Sequence, residues 1–407
     1  MKEISFNQLG DLMGWLGLDD TDHLGGGCTT YSMYEILQNL PSKYRIKSHH
    51  LVRLYPLASR RTRGNAAVAI EITGDDYHDL MIFLEQWWTN ELLPMSGKIT
   101  ESDMSERKQS PSDPGMVWFE TKPDQGFYWD CVSREVDLSS VPQATRSWGG
   151  HGRIGATAAI AWPASNYTFE AICWRSKESV ASGRERLVDL DRLDDVDNDP
   201  NTFMSRDLRT KSALISPRGN CPVLFGIRAL TRDSALASCK HLVDSKRTES
   251  VEDYLVFKTN QATDDHLGHN LRAVVQEITI KRRGSTKIQC KNGDELMAFA
   301  ESGEVKLLAQ WLLPGDEIEF NGLRNEHGTI HLEKLKVINA EMVKQRPKCV
   351  NCNVTLKSMG KNQQLRCPKC RQQYAQSWNL IVRKPPFTDW VQPPSDARRH
   401  LAKPLNW

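Results

Sequence analysis

The sequence predicts a multidomain α+β protein, and three observations carry that prediction. Segments patterned as strands and helices alternate through the first two thirds of the chain. Five short strand candidates follow between Leu271 and Ile338, and four cysteines near the C-terminus fall in two closely spaced pairs. At 407 residues the chain exceeds what one hydrophobic core organises. Its 39% hydrophobic and 26% charged residues exclude a mainly disordered chain.

Residues 12–18 form an apolar run that reads as a buried strand, and it ends in Asp19-Asp20-Thr21-Asp22. A glycine turn, Gly25-Gly26-Gly27, leads into a helix on which Met33, Ile36, Leu37 and Leu40 share one face. Residues 51–57 and 66–72 read as strands, and 79–93 as a second helix. The polar stretch 96–115 reads as a long surface loop. A second α+β region covers 136–267, with a small-residue stretch at 149–161 and strand candidates at 168–174 and 223–230. The next five strand candidates, 273–280, 286–290, 295–299, 316–321 and 329–337, fit a small barrel of the OB type. The cysteine module and a tail rich in Pro and Arg complete the chain.

No stretch approaches the ~18 apolar residues of a membrane span, and no charged leader precedes an apolar run, so a cytoplasmic protein is expected. Six of the ten cysteines stand alone, which is not a disulfide framework. The formal charge of +2 hides an asymmetry, because residues 344–407 hold 13 Lys and Arg against two acids, Asp389 and Asp396. A basic end on an acidic body fits a polyanion partner, or a solvated surface.

Cys349-x-x-Cys352 and Cys367-x-x-Cys370 supply four thiolates with no position left for water, the pattern of a structural Zn²⁺ site. A redox dithiol would need a βαβ setting that these residues lack. A barrel, a zinc ribbon and a basic tail together fit a grip on nucleic acid. Lys281-Arg282-Arg283 and the aromatics Tyr374, Trp378, Phe387 and Trp390 are candidate contacts; each aromatic taken alone reads better as packing the modules, and the combination favours binding. Asp19, Asp20 and Asp22 can hold Mg²⁺, Gly25, Gly26 and Gly27 admit a phosphate, and Thr29 and Thr30 open a helix whose amides favour anions. The same residues also suit a strand end with N-capping side chains. Thr62-Arg63-Gly64-Asn65 could clamp phosphate or form an ordinary turn. The acidic run Asp191, Asp194, Asp195, Asp197 and Asp199 reads as a solvated loop. No Walker-type loop is present.

The run Leu18-Asp19-Asp20-Thr21-Asp22, then Gly27 to Tyr31 (Gly-Cys-Thr-Thr-Tyr), resembles the nucleotide-site signature of the archaeal tRNA(Ile) 2-agmatinylcytidine synthetase family. The similarity continues in Leu51-Val52-Arg53-Leu54, Thr62-Arg63-Gly64-Asn65, Gly152-Arg153-Ile154-Gly155-Ala156, the Pro222 to Arg228 run, Thr259 to Asp264, and Ala397-Arg398-Arg399-His400-Leu401. The resemblance covers nearly the whole chain in order. It implies a kinase-like α/β catalytic domain (1–135), a ferredoxin-like domain (136–267), an OB-fold barrel (268–342), a zinc ribbon (343–382) and a basic tail (383–407). It implies an ATP-dependent ligase that activates carbon 2 of the wobble cytidine in the CAU anticodon of isoleucine tRNA, after which agmatine displaces the activated oxygen. By motif position Asp19, Asp20 and Asp22 would bind Mg²⁺–ATP, Thr29 would be autophosphorylated, and Arg63 would clamp phosphate, beside the loop residues Gly25, Gly26, Gly27, Thr30, Gly64 and Asn65. Two alternatives compete: a non-catalytic nucleic-acid-binding protein, for which the acidic trio has no use, and a Mg²⁺-dependent phosphohydrolase, which leaves the basic end unexplained. The agmatine-binding residues and the oligomeric state are not legible in the sequence.

Overall fold

A computed structural model describes residues 12–23, 26–60, 65–98, 110–207, 209–219, 221–361, 363–375 and 377–407. The chain divides into two compact units, Met1–Leu267 with Ser395–Trp407, and Gly268–Pro394. Among the described residues no helix is long and apolar enough to cross a membrane.

The first unit is built on one eight-stranded sheet. Its elements in chain order are β1 (Leu12–Asp19), α1 (Thr29–Asn39), β2 (Arg45–Arg53), β3 (Ala66–Gly74), α2 (Tyr77–Trp87), β4 (Gly115–Phe119), α3 (Gly126–Ser133), β5 (Arg146–Gly149) and α4 (Arg153–Ala161). Then come β6 (Thr168–Arg175), α5 (Lys177–Ala181), α6 (Leu193–Asn198), β7 (Val223–Ala229), α7 (Arg232–Val243) and β8 (Val251–Thr259). The strand order is β5-β4-β1-β3-β2-β8-β6-β7, and the ladders are antiparallel except for β2 beside β8. The central strands are apolar on both faces because helices cover both. Leu16, Leu18, Val68 and Ile70 meet Met33, Ile36, Leu80 and Leu84 on one side. The alternate residues Trp15, Ala67, Ala69 and Val117 meet Phe127, Tyr128, Ile154 and Ile160 on the other.

Two expected elements shift. The second strand is Arg45–Arg53 rather than 51–57, because its polar first half is paired to β3 and Pro56 lies beyond its end. The second helix begins at an Asp76 cap that accepts from the Asp79 amide at 3.0 Å, and after Trp87 it continues as a π turn and a 3₁₀ turn holding Pro94.

The second unit holds a closed five-stranded barrel of β9 (Leu271–Ile280), β10 (Thr286–Cys290), β11 (Glu295–Ala298), β12 (Glu317–Arg324) and β13 (Ile330–Asn339). Each strand falls within a few residues of its expected place. An additional helix, α8 (Glu304–Trp311), packs Val305, Leu308 and Ala309 into the barrel core beside Ile288, Phe320 and Leu335. Arg383 locks the following segment to this barrel. Its guanidinium donates to both oxygens of the fully buried Asp316, at 2.8 and 2.9 Å, and lies over the Trp311 ring. Phe387 packs against the same core and Tyr374 against the cysteines, so for these two aromatics packing is the observed role.

His50 on β2 is 3% exposed, wedged between Trp15 and Trp162 with ring centroids 4.9 and 5.0 Å away. Burial, then Lys122 and Lys258, push its pKa down to about 3 from 6.5. Below 6.5 the unfolded chain takes up a proton that the folded chain refuses, so this site's stability falls as pH drops from 6.5 toward 3. Replacing it by phenylalanine (H50F) should flatten the fall in denaturant midpoint between pH 7 and pH 4, measured by urea titration.

Candidate active-site cavity

Two concavities in the first unit divide the residues singled out in the sequence. The larger, about 400 Å³, is lined by Asp22, Gly27, Cys28, Thr29 and Thr30 from the glycine turn and the start of α1. Arg53 at the end of β2, Glu170 on β6, Gly226 and Arg228 on β7, and Ser395, Asp396, Arg398 and His400 from the C-terminal segment also face it. The smaller, about 60 Å³, is lined by Asp19, Asp20, Arg60, Asn65, His151 and Gly155, among others. The acidic trio is therefore parted: Asp22 faces one cavity, Asp19 and Asp20 the other. Asn65 sits with Asp19 and Asp20, while Gly25, Arg63 and Gly64 lie outside the described residues and Gly26 lines neither cavity.

Local backbone dictates this parting. Asp20 takes a left-handed φ of 58°, a conformation that Asp tolerates better than most residues, and turns the chain at the end of β1. Its Oδ2 accepts from the Asp113 amide at 3.1 Å. Asp19 is accommodated because α4 carries Gly155 opposite it, where an added Cβ would come 1.9 Å from Asp19 Oδ2. Gly27 is equally constrained, since a Cβ there would meet the Thr21 carbonyl oxygen at 2.3 Å. Burial and the neighbouring carboxylates push Asp19 well above the usual range, and burial chiefly raises Asp20 to about 7. Two half-buried carboxylates repelling each other in this way are a fit for a cation.

The larger cavity has the opposite character. Four guanidiniums, of Arg53, Arg218, Arg228 and Arg398, line it with three carboxylates, of Asp22, Glu170 and Asp396. The first residues of α1 face it with no side chain capping them and no acid in the first turn, an arrangement suited to anions. Thr29 is 4% exposed and shares a hydrogen bond with Thr21, while Thr30 accepts from Trp174 Nε1 at 3.3 Å. Burial, then Cys221, push the Cys28 thiol up to about 11, which favours its protonated form.

Sequence reasoning missed Glu170, Arg228 and the C-terminal wall as site residues. Glu170 is 2% exposed and is met by Arg53 Nη2 at 3.2 Å, by Arg228 Nε at 3.4 Å and by the Gln261 amide. Asn260 grips the Arg53 backbone twice, accepting from its amide at 2.7 Å and donating to its carbonyl at 2.9 Å. Arg186 holds the cavity loop by donating to the carbonyls of Pro217, Gly219, Cys221 and Val223. For Arg53, Arg228, Asn260 and His400 the signal was positional, since each lies in a motif already singled out, whereas Glu170 and Arg186 lie in none. In the acidic run 191–199, Asp194 and Asp197 pair with Arg206 and Asp191 with Arg247, Asp195 meets His241 Nε2 at 2.9 Å, and Asp199 accepts from the Asn201 amide at 2.8 Å.

The four sulfurs of Cys349, Cys352, Cys367 and Cys370 lie within 4.8 Å of one another, with Cys349 and Cys370 at 3.6 Å. A tetrahedral zinc–thiolate site, with bonds near 2.3 Å, spaces its sulfurs at about 3.8 Å, so the cluster fits structural zinc. Purified protein should carry one zinc per chain. Cys367→Ser should lose it and unfold the ribbon, read by metal analysis and by protease cleavage confined to residues 346–383.

Family models described as the TiaS TCKD domain, the TiaS FLD domain and the TiaS C-terminal zinc ribbon domain match residues 15–151, 150–266 and 346–383. The tRNA(Ile) 2-agmatinylcytidine synthetase TiaS of Pyrococcus horikoshii is 30% identical, over 96% of this chain and 96% of its own. That of Methanocaldococcus jannaschii is 28% identical over 97% and 98%. Among solved structures, apo TiaS superposes with a TM-score of 0.78 and the complex of TiaS with isoleucine tRNA and ATP with 0.80, each at 25% identity and covering 97% of both chains.

Proposed function

The chain belongs to the tRNA(Ile) 2-agmatinylcytidine synthetase family, and from that membership we propose that it is the ATP-dependent ligase joining agmatine to the wobble cytidine of isoleucine tRNA. The product is 2-agmatinylcytidine, which lets the CAU anticodon read AUA. The observation that carries this reading is the larger cavity, where Thr29, the start of α1 and four arginines converge.

The chemistry explains why such a cavity is needed. The carbonyl at carbon 2 of cytosine is a poor electrophile, and its oxygen is a poor leaving group. Phosphorylating that oxygen remedies both, and the developing charge calls for fixed cations and amides. Arg53, Arg228 and the α1 amides would supply these, and Thr29 would accept a phosphoryl group. Asp19 and Asp20 would hold Mg²⁺ at the smaller concavity, and Asp22 would face the phosphates within the larger cavity. The wobble base must leave its stack to be reached.

We infer a finer architecture of a kinase-like domain over 1–135, a ferredoxin-like domain over 136–267, an OB fold over 268–342, a zinc ribbon over 343–382 and a basic tail over 383–407. The closed barrel supports the OB assignment. Barrel and ribbon would bind tRNA, with the exposed Lys281-Arg282-Arg283 turn and Trp378, stacked by Arg346, as contacts. Ten free cysteines fit a cytoplasmic setting.

Asp20→Asn should lower ATP turnover by about a hundredfold or more while leaving tRNA binding intact. Thr29→Ala should abolish protein labelling from labelled ATP. Unchanged turnover in the first variant, measured by phosphate release beside a filter-binding assay, would overturn the assignment of these carboxylates.

A further inference from the structure

The reaction proposed above needs groups that read nitrogen as well as phosphate, and the C-terminal wall of the larger cavity carries one. A chain of hydrogen bonds fixes the tautomer of His400. The Glu170 carboxylate, flanked by two guanidiniums, only accepts, so the Gln261 Nε2 that meets it must donate. That leaves the Gln261 Oε1 turned toward His400 Nδ1, 3.1 Å away. An amide oxygen only accepts, so the proton sits on Nδ1 and the lone pair on Nε2.

The ring is held in this state. Burial, with Arg53 and Arg228 nearby, keeps the imidazole neutral by lowering its pKa well below the usual range. The His400 carbonyl accepts from the Ala262 amide at 2.8 Å, and the Leu401 carbonyl accepts from the Asp264 amide at 2.9 Å. These two amides belong to a turn with φ of 55° at Ala262 and 64° at Asp264, and Trp407 anchors the segment's end edge-on to Phe203. His400 Nε2 has no hydrogen-bond partner among the described residues, although the residue lines the cavity. The arginines and helix amides around it are donors suited to phosphate oxygens. A neutral acceptor among them has nothing to offer a phosphate.

We propose that His400, through Nε2, accepts a hydrogen bond from a substrate N–H group in this cavity, making the C-terminal segment part of the recognition site. The N–H belongs either to the amine of agmatine or to the exocyclic amino group of cytosine. This inference rests on the proposed reaction.

His400→Asn keeps an amide donor near the Nδ1 position and removes Nε2, whereas His400→Gln returns an amide group to the Nε2 position. Steady-state modification of tRNA by the full-length zinc-loaded protein should show KM for one substrate raised between about threefold and tenfold in H400N, with kcat retained. H400Q should recover most of the loss. A rise confined to agmatine identifies the amine as the donor, and a rise confined to tRNA identifies the cytosine. Wild-type KM values for both substrates in H400N would overturn the inference alone. Absence of modification by the wild-type protein would overturn the proposed reaction and the inference with it.

Discussion

The buried carboxylate of Glu170 is the point on which the cavity depends. It sits 2% exposed between Arg53 and Arg228, with Gln261 completing its shell. Such a cluster is stable only when complete, since removing one partner strands a charge in low dielectric at a cost of about 3–5 kcal/mol. The cluster ties the ends of β2, β6, β7 and β8 to one another, and through His400 it fixes the C-terminal segment. Gly226 belongs to the same constraint, because a Cβ there would press to 2.7 Å from Glu170 Oε1.

That one interaction explains why dispersed motifs act as a set. Leu51 to Leu54 delivers Arg53, the Pro222 to Arg228 run delivers Gly226 and Arg228, Thr259 to Asp264 delivers Asn260 and Gln261, and the final motif delivers His400. The groups proposed to bind phosphate and to read nitrogen would thereby share a wall. The carboxylates Asp19 and Asp20 open into the smaller concavity, where a cation would relieve their mutual repulsion without entering the arginine cluster.

Much of this was legible where a single physical rule dominates. The barrel strands alternate cleanly between turns, and the cysteine spacing admits one geometry, so both emerge from pattern alone. The helices α3, α7 and α8 and the strand β8 were not located individually. In α7 polar residues mask the apolar face: of Arg232–Val243 only Ala235, Ser238, Cys239 and Leu242 are buried. The geometry of the acidic trio was not legible, because a left-handed turn at Asp20 sends Asp22 to a different cavity. The second carboxylate site, Glu170, lies mid-strand in β6 and gives no local signal; only the distant arginines reveal it.

Mass spectrometry of isoleucine tRNA with a CAU anticodon, incubated with the protein, ATP, Mg²⁺ and agmatine, tests the central claim most directly. The reading predicts that the wobble cytidine gains the mass of agmatine less one water, and only when ATP is present. An unmodified cytidine in tRNA that the protein nonetheless binds would contradict it, and would leave the convergent arginines of the cavity serving some other anion.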